Sequence, residues 1–398
     1  MQRTGFNNAR VRQANKSIFL SHLWREKQLS KSQLSQLTGL SIPAVSNILA
    51  ELLSEGLIGH STEHLSKRGV NSGSYQIPEH GAWTLCMNIT PTSIEYQLAD
   101  ARLLAVDGHQ LLPVNAPTPQ ALLEAIVECW RHIHRRYPQH SINLALGVHG
   151  QVDPITGVSQ TMPQARWKTP IEIKYLLEER LGVQVRVDND CVMLALAEKW
   201  QHQGTQQDFC VINVDYGIGS SFVINDHIYR GSLYGSGQIG HTIVNPDGKA
   251  CDCGRYGCLE TVASLSALKK QARMWLKTQP EATLAPEQLT TASLIEAWKE
   301  GDVQIRAWVD NAANAIGLSL YNFLNILNIN QIWLYGRSCA FGEQWLESIV
   351  KQTGFNPFDH RDTPRAHATQ IGFGQLTRAQ QLMGIGYLYV EEQLQTLV

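Results

Sequence analysis

The sequence predicts an α/β protein that has an N-terminal winged helix-turn-helix followed by a duplicated, two-lobed α/β body. Three observations predict this: residues 17–59 follow a helix–glycine–helix pattern, groups of three short strands with βα units after them occur twice, and residues 241–258 hold three cysteines and a histidine. A chain of 398 residues is too long for one ordinary domain. We expect domains at 1–80, 81–190 and 191–398. The C-terminal helix is a candidate to pack back against the first lobe.

The charge of the chain is unevenly distributed. Residues 1–80 carry nine Lys and Arg against five Asp and Glu, a net of +4, and the remainder carries 24 against 30, a net of −6. A basic head on an acidic body indicates a nucleic-acid contact confined to the head, although a solvated surface arm would show the same balance. The sequence has no run of 18 uncharged apolar residues and no apolar signal core, so we expect a cytoplasmic protein without membrane insertion.

Two helices of the head carry start and stop signals. Ser30 is placed to cap a helix that ends at Gly39, and Ser41 is placed to cap a second helix that has Pro43 in its first turn. One face of this second helix is apolar, through Val45, Ile48, Leu49, Leu52 and Leu53. The opposite face is small and polar, which suits the major groove of DNA.

Residues 59–77 are predicted to form two short strands joined by a basic, glycine-rich tip, which would complete a winged helix. The candidate DNA-binding residues are Lys31, Ser32, Ser41, Ala44, Ser46, Asn47, Lys67 and Arg68. A small three-helix packing module is the alternative, and the basic wing favours DNA over it. We expect double-stranded DNA with an inverted repeat, bound by a homodimer or homotetramer, because one winged helix offers too few contacts for specificity.

The body begins near Trp83. Its predicted strands lie at 83–89, 93–100, 102–108, 142–150, 183–190, 331–336 and 368–374, with two more separated by a glycine turn in 208–225. Predicted helices lie at 118–138, 191–200 and 302–327, with one between the last two strands and one at the C-terminus. Repetition of strand groups indicates two related lobes with a cleft between them.

Five segments of the body resemble the ROK family, which groups bacterial repressors, open reading frames and sugar kinases. They are "HGQVDPITG" (149–157), "VDND" (187–190), "DYGIG" (215–219), "SGQIGHTIVNPDGKACDCGRYGCLE" (236–260) and "GLSLYNFLNILNINQIWLYG" (317–336). The resemblance covers about 82–398 and implies an actin-like fold, of the sugar-kinase-like and RNase H-like kind. With the head included, the whole chain resembles a transcriptional repressor of the NagC/Mlc type.

The cysteine-rich segment has the donors of a metal site. Its nitrogen and sulfur ligands are His241, Cys251, Cys253 and Cys258. Four such ligands with no open position predict a closed, tetrahedral and therefore structural zinc site, with one ion per chain, and the ROK resemblance implies the same. A chance cluster of reduced thiols is the alternative, and a reducing compartment argues against disulfides.

The resemblance also implies a binding site for a small sugar or sugar phosphate. The matching residues are Asn189, Asp190, Gln238, His241 and Glu260. His241 would offer one ring nitrogen to zinc and the other to a sugar hydroxyl. Asp190 matches the general base of the kinases, although Asn189 and Asp190 would equally suit a helix N-cap. Gln238 replaces the glutamate that is usual in the family, which leaves the identity of the sugar open.

The nucleotide loops that a ROK kinase needs are degraded. "MNITPT" (87–92) stands where the kinases have a loop of the "DxGGT" kind, with Asn88 in place of the acid and Pro91 lacking an amide. Tyr216 replaces a small hydroxyl residue, and "LYGRS" (334–338) is a poor match to the family's glycine-rich strap. The sequence therefore predicts a sugar-responsive regulator with no catalytic residues. The alternatives are a hexose or N-acetylhexosamine kinase with an N-terminal extension, and a DNA-binding or scaffold protein that senses no small molecule.

Overall fold

The computed structural model describes residues 7–61, 73–201, 207–279, 285–354 and 369–397. The chain divides into two compact units, Met1–Thr205 with Leu376–Val398 as unit 1, and Gln206–Gln375 as unit 2. The head and the C-terminal residues thus belong to the same unit as the first lobe. Over the described ranges, no single helix is long and apolar enough to cross a membrane, and one bent pair of head helices passes that test only when both members are counted together.

The head contains three helices and a small sheet. Its elements are α1 (Asn8–Glu26), β1 (Gln28–Ser30), α2 (Lys31–Thr38), α3 (Ile42–Ser54), β2 (Gly59–His60) and β3 (Ser74–Gln76). Helices α2 and α3 meet at 112°, within the range typical of a helix-turn-helix. The strands pair antiparallel in the order β1-β3-β2. Leu34 of α2 and Val45, Leu49 and Leu52 of α3 are buried, so the predicted apolar face forms the head's core.

The cap signals of the head are only partly realised. Ser30 caps α2 through a capping box with Gln33, and Gly39 ends the helix in the left-handed conformation, at φ 70°. Ser41 occupies the N-cap position of α3 but makes no side-chain capping hydrogen bond, so the expected serine cap is wrong in that respect. Residues 28–30, expected as a break, form β1, because their backbone groups pair with β3.

The first lobe is a mixed α/β layer. Its elements are β4 (Trp83–Ile89), β5 (Ser93–Ala99), β6 (Gln110–Pro113), α4 (Pro119–Arg136), β7 (Ile142–Val148), β8 (Val152–Asp153), β9 (Val158–Ser159), α5 (Ile173–Leu181), β10 (Val185–Asn189) and α6 (Asp190–Gln201). The main sheet has the order β10-β7-β4-β5-β6, with β4, β7 and β10 parallel. Its core packs the sheet against α4 and α5 through residues such as Leu85, Leu122 and Leu177.

The second lobe repeats this topology. Its elements are β11 (Phe209–Val214), β12 (Ile218–Ile224), β13 (His227–Tyr229), α7 (Glu260–Ala263), α8 (Leu265–Leu276), α9 (Thr291–Glu300), α10 (Val303–Leu327), β14 (Gln331–Tyr335), α11 (Glu343–Thr353) and β15 (Gln370–Phe373). The sheet order is β13-β12-β11-β14-β15. In both lobes, three consecutive strands form an antiparallel meander, and two further strands are added in parallel beside the first strand of that meander. Helices α12 (Arg378–Met383) and α13 (Tyr387–Thr396) end the described chain in unit 1.

One predicted strand of the body is wrong. Residues 102–108 form turns and bends with one isolated bridge from Ala105 to Ala99, and the third strand of the meander is β6. The Asp100 carboxylate accepts hydrogen bonds from the backbone amides of Arg102 at 2.9 Å and Leu104 at 2.8 Å. These bonds close a tight turn in which Leu103 has a φ of 55°, and such a turn cannot continue as an extended strand.

Candidate functional site

The four predicted metal ligands lie together in unit 2. The nitrogen or sulfur ligand atoms of His241, Cys251, Cys253 and Cys258 all lie within 4.8 Å of one another. Sγ of Cys251 lies 3.6 Å from Nδ1 of His241, and the Sγ atoms of Cys253 and Cys258 are also 3.6 Å apart. A tetrahedral zinc ion with bonds of about 2.3 Å would hold two sulfurs roughly 3.8 Å apart, whereas a disulfide would require about 2.05 Å. The donor set and its spacing therefore fit zinc.

Backbone turns bring the cysteines together. Gly254 and Gly257 have φ values of 88° and 69°, which a residue with a side chain rarely adopts. A Cβ atom at Gly257 would also lie 1.5 Å from the carbonyl oxygen of Asn245. The segment is held further by hydrogen bonds from the amides of Cys251 to the Arg255 carbonyl and of Gly257 to the Lys249 carbonyl. The two glycines thus allow the loop to fold back on itself.

Three of the predicted sugar-binding residues belong to this same region. Gln238 and His241 bracket a single 3-10 turn, in which the His241 amide donates to the Gln238 carbonyl oxygen at 3.0 Å. Glu260 begins α7, two residues after Cys258, and its Oε2 accepts a hydrogen bond from the Ile218 amide at 3.0 Å. With His241 Nδ1 near Cys251, Nε2 is the ring nitrogen left for a ligand.

The other two predicted sugar-binding residues lie in unit 1, at the end of β10. The Asn189 side chain accepts from the Cys191 amide at 2.7 Å and donates to the Gly150 carbonyl at 2.5 Å, so it caps the start of α6 and braces the neighbouring loop. Asp190 is buried, and its Oδ2 lies 3.0 Å from Nδ1 of His149. Asn189 therefore has the helix N-cap role that the sequence suggested for both residues, whereas Asp190 pairs with a histidine.

The backbone amides of the first loop, "MNITPT", are already hydrogen-bonded. The Thr90 amide donates to the Ser93 carbonyl, and Pro91 has no amide to donate. The amides of Thr92 and Ser93 donate to the Thr90 hydroxyl at 3.2 and 2.9 Å. A phosphate would therefore have to break this turn before it could reach an amide.

The second loop, "DYGIG", is closed in a similar way by Asp215 and Arg337. The Arg337 guanidinium contacts both carboxylate oxygens of Asp215, at 2.8 Å from Nε to Oδ1 and 3.1 Å from Nε to Oδ2. The amides of Tyr216 and Arg337 donate to the same carboxylate. Burial raises the pKa of Asp215, but the hydrogen bonds and charge of Arg337 outweigh burial and hold that pKa below its ordinary value.

The predicted DNA-binding residues show mixed exposure. Lys31, Ser32, Ser41 and Asn47 are exposed, and Ala44 and Ser46 are half-buried on the same helix as Asn47. Lys67 and Arg68 lie outside the described residues. Apart from Ile42 in the first turn, which is 47% exposed, the face of α3 that does not pack into the head carries small or polar side chains, with no charged side chain between Ser41 and Ala50.

Sequence reasoning missed two residues of the candidate sites, His149 and Arg337. His149 directly follows β7, and β7 pairs with β10 in a register that sets Val148 beside Asn189. Carboxyl ends of adjacent parallel strands place their following residues close together, so the strand order would have identified the pair with Asp190. Arg337 lies two residues after the end of β14, and β14 is the parallel neighbour of β11, which ends directly before Asp215.

Comparison with known proteins places these motifs in context. A sequence model of the ROK family matches residues 84–379. The uncharacterized protein YphH of Escherichia coli (strain K12) is 66% identical over 99% of this chain and 100% of its own length. A xylose repressor of Caldicellulosiruptor bescii is 24% identical, covering 88% of this chain and 90% of its own.

Solved structures share the fold. The crystal structure of a ROK family transcriptional regulator, described as a homologue of the Escherichia coli Mlc protein, has a TM-score of 0.75 at 21% identity, covering 98% of this chain and 97% of that one. A ROK family glucokinase from Streptomyces griseus, solved with glucose and AMPPNP, has a TM-score of 0.65 at 24% identity. It covers 77% of this chain and 99% of its own, so the kinase matches the body while the regulator also spans the head.

Proposed function

Because the chain belongs to the ROK family, we propose that it is a sugar-responsive DNA-binding regulator, most simply a cytoplasmic repressor of genes for carbohydrate uptake or metabolism. Relatives named as repressors match this chain from head to body, and the family also contains kinases. The observation that carries the proposal is the head itself. It has two helices at 112° and presents a small polar face on the second of them.

We assign DNA binding to a winged helix-turn-helix with α3 as the recognition helix. Asn47 is exposed in the middle of α3, and an asparagine amide can pair with an adenine edge through two hydrogen bonds. Lys67 and Arg68 would supply phosphate or minor-groove contacts from the wing. One such module is too small for a specific site, so the proposal includes a homodimer or homotetramer on an inverted repeat.

We assign sugar recognition to Asn189, Asp190, Gln238, His241 and Glu260, supported by structural zinc. The ion would be held by His241, Cys251, Cys253 and Cys258, and it supplies fixed loop geometry rather than reaction chemistry. His241 would then be positioned by zinc while it faces the sugar. Sugar binding shifts the protein between conformations only by its difference in affinity for them, and we propose that this difference controls release of DNA.

A sugar kinase is the second candidate, and the body's resemblance to glucokinase is the observation that favours it. Phosphoryl transfer needs loop amides and cations around the phosphates. Here the Thr90 hydroxyl accepts hydrogen bonds from two backbone amides at the first loop. The Asp215 carboxylate accepts hydrogen bonds from two backbone amides, one in the second loop and one after β14. His149 pairs with Asp190, the residue that would serve as base. We therefore propose that the ATP site is degenerate and that Asp190 is a sugar ligand.

Two measurements test the proposal. Selection of bound duplexes from a random-sequence pool by the full-length protein should yield an inverted repeat with half-sites spaced by whole helical turns. A coupled assay with ATP and a panel of hexoses and N-acetylhexosamines should yield no ADP signal. No enriched sequence at physiological salt would contradict the regulator, and a sugar-dependent ADP signal that Asp190→Asn abolishes would establish the kinase.

A further inference from the structure

The eight cysteines of the chain all lie within the described residues, and they differ in exposure. Cys253 is the one exposed cysteine, Cys339 is half-buried, and the other six are buried. A dissolved reagent reaches an exposed sulfur far more easily than a buried one. Exposure therefore favours Cys253 as the site of any thiol chemistry.

The cysteines outside the metal cluster are also held in the thiol form. Burial raises the pKa of Cys86 and of Cys129 to about 12, and it holds the pKa of Cys210 well above its ordinary value. Burial and the charge of Asp215 raise the pKa of Cys339 to about 12. Because the thiolate is the nucleophile, these four side chains react slowly with oxidants at neutral pH.

Cys253 has a second thiol directly beside it. Its Sγ lies 3.6 Å from Sγ of Cys258, and the Cys258 side chain is 0% exposed. A disulfide requires about 2.05 Å, so the two sulfurs are in contact without a bond. An accessible thiol that is oxidised first, with a neighbouring thiol to resolve it, is the arrangement that reversible thiol oxidation needs.

The tip of the loop has room to bring the two sulfurs together. Residues 252–256 are exposed, and a Cβ atom at Gly254 would meet no heavy atom within 4 Å. Cys258 is anchored on the other side by a β-bridge to Ile243. The sulfurs need to approach by roughly 1.5 Å, and movement of the unpacked tip would supply this without disturbing the core.

We propose that Cys253 and Cys258 form an oxidative modification site for peroxides. The Cys253 sulfur attacks one peroxide oxygen, so that an S–O bond forms as the O–O bond breaks, and the thiol proton leaves with the second oxygen as water or an alcohol. The Cys258 sulfur then attacks Cys253, so that the S–S bond forms as the S–O bond breaks and water leaves. With hydrogen peroxide, two thiols and one peroxide give one disulfide and two waters.

The disulfide would remove two of the four proposed zinc ligands. His241 and Cys251 would remain, and two donors are too few for a closed zinc site. His241 is also a proposed sugar ligand, so its orientation would no longer be fixed by the metal. Loss of zinc rests on the proposed zinc site, and any effect on sugar or DNA binding rests on the proposed function. Formation of the disulfide rests on neither.

Tryptic peptide mapping of the full-length protein after hydrogen peroxide treatment tests the site. Trypsin cleaves after Arg255, which places Cys253 in peptide 250–255 and Cys258 in peptide 256–269. The predicted disulfide therefore joins two peptides, and a reductant separates them again. Differential alkylation should show Cys253 and Cys258 oxidised at least roughly tenfold faster than Cys339.

Two matched variants assign the bond to Cys253 rather than to Cys251, which lies in the same tryptic peptide. Each variant removes one proposed zinc ligand, so loss of metal affects both. Cys251→Ser should still link the two peptides, whereas Cys253→Ser should link them at least roughly tenfold more slowly than the unsubstituted protein. Cys339→Ser, outside the cluster, should behave like the unsubstituted protein.

A zinc-sensitive dye in the same samples measures release of the metal. One zinc ion per chain should appear in step with the linked peptides, and an untreated protein that contains no zinc would contradict the proposed metal site. The peptide map decides the present inference in either case, because it reports the disulfide directly.

Met274 is 60% exposed, so its conversion to the sulfoxide shows that the peroxide dose was effective. The inference is wrong if the peptides stay unlinked at such a dose, or if Cys253 is oxidised only to sulfinic or sulfonic acid. Oxidation of Cys339 as fast as Cys253, or unchanged linking in Cys253→Ser, would equally contradict it.

Discussion

Nδ1 of His149 lies 3.0 Å from Oδ2 of Asp190, and both side chains are largely buried at the ends of adjacent parallel strands. A kinase base must be free to accept the proton of a sugar hydroxyl. In this protein the carboxylate already has a partner, which favours a binding role for Asp190. The pair is also a stability element, because a buried carboxylate without a donor is costly.

His149→Ala should therefore destabilise unit 1 by about 1–3 kcal/mol, the cost of a buried acceptor left without its donor. His149→Asn is the matched control, because its side-chain amide can donate from nearly the position of Nδ1 and should recover part of the loss. Urea unfolding followed by circular dichroism measures both. Equal losses in the two variants would show that the ring packing, and not the hydrogen bond, is what matters.

Removal of the metal ligands should destabilise unit 2. Cys258→Ser should abolish the one zinc ion expected per chain and lower the free energy of unfolding by several kcal/mol, because a structural zinc contributes folding energy directly. The head shares no residue with this cluster and should still fold. Elemental analysis of purified protein and thermal unfolding measure these effects, with Cys339→Ser as the control since Cys339 lies outside the cluster. Full zinc content in Cys258→Ser would rule out the proposed ligand set.

The Asp215–Arg337 ion pair should give unit 2 a stability that depends on pH. The folded-state pKa of Asp215 is lowered, so the pair's contribution is present above the unfolded carboxyl value of ~3.9 and is lost as the pH falls through the folded value. Arg337 is 58% exposed on its side chain, so we expect a coupling of only about 1 kcal/mol at neutral pH. A double-mutant cycle with Asp215→Asn and Arg337→Gln measures it at pH 7 and pH 3. A coupling energy that increases from pH 7 to pH 3 would contradict this explanation of the ion pair.

Substitutions on α3 and in the wing should affect DNA binding differently. Asn47→Ala should weaken binding to the selected operator by about 1–3 kcal/mol, with little effect on unrelated DNA, because it removes a base contact. Arg68→Ala should weaken binding to both, because a phosphate contact carries little sequence information. Fluorescence anisotropy with operator and scrambled duplexes at fixed salt measures the two ratios. An Asn47→Ala variant that loses affinity equally for both duplexes would move the recognition surface away from α3.

Much of the fold follows from local signals in the sequence. Periodic apolar residues and the signals of Ser30, Gly39 and Pro43 predict the two head helices. Short apolar runs predict the longer strands of the body, but not the short strands β6, β8, β9 and β13. Two of the differences have local causes that residue composition does not reveal. The Asp100 carboxylate closes a turn where the apolar residues of 102–108 suggested a strand, and β1 exists only because β3 pairs with it.

The candidate site was less predictable than the fold. The cluster of candidate metal ligands is recognisable from the sequence because its spacing is short and its chemistry is specific. The contacts of His149 with Asp190 and of Arg337 with Asp215 join residues 41 and 122 positions apart, and only the strand order brings them together. The proposed sugar-binding residues fall into both units, with Asn189 and Asp190 in unit 1 and the other three in unit 2. Their common role therefore stays a proposal.

The most direct test of the central claim is the effect of sugars on the affinity of the full-length protein for its selected operator. In fluorescence anisotropy, one sugar from a panel of pentoses, hexoses, N-acetylhexosamines and their phosphates should raise the Kd by roughly 5–150-fold, the usual range of allosteric coupling. Asp190→Asn should abolish that response while keeping the sugar-free affinity. An operator affinity that no sugar or sugar phosphate changes would contradict a sugar-responsive regulator.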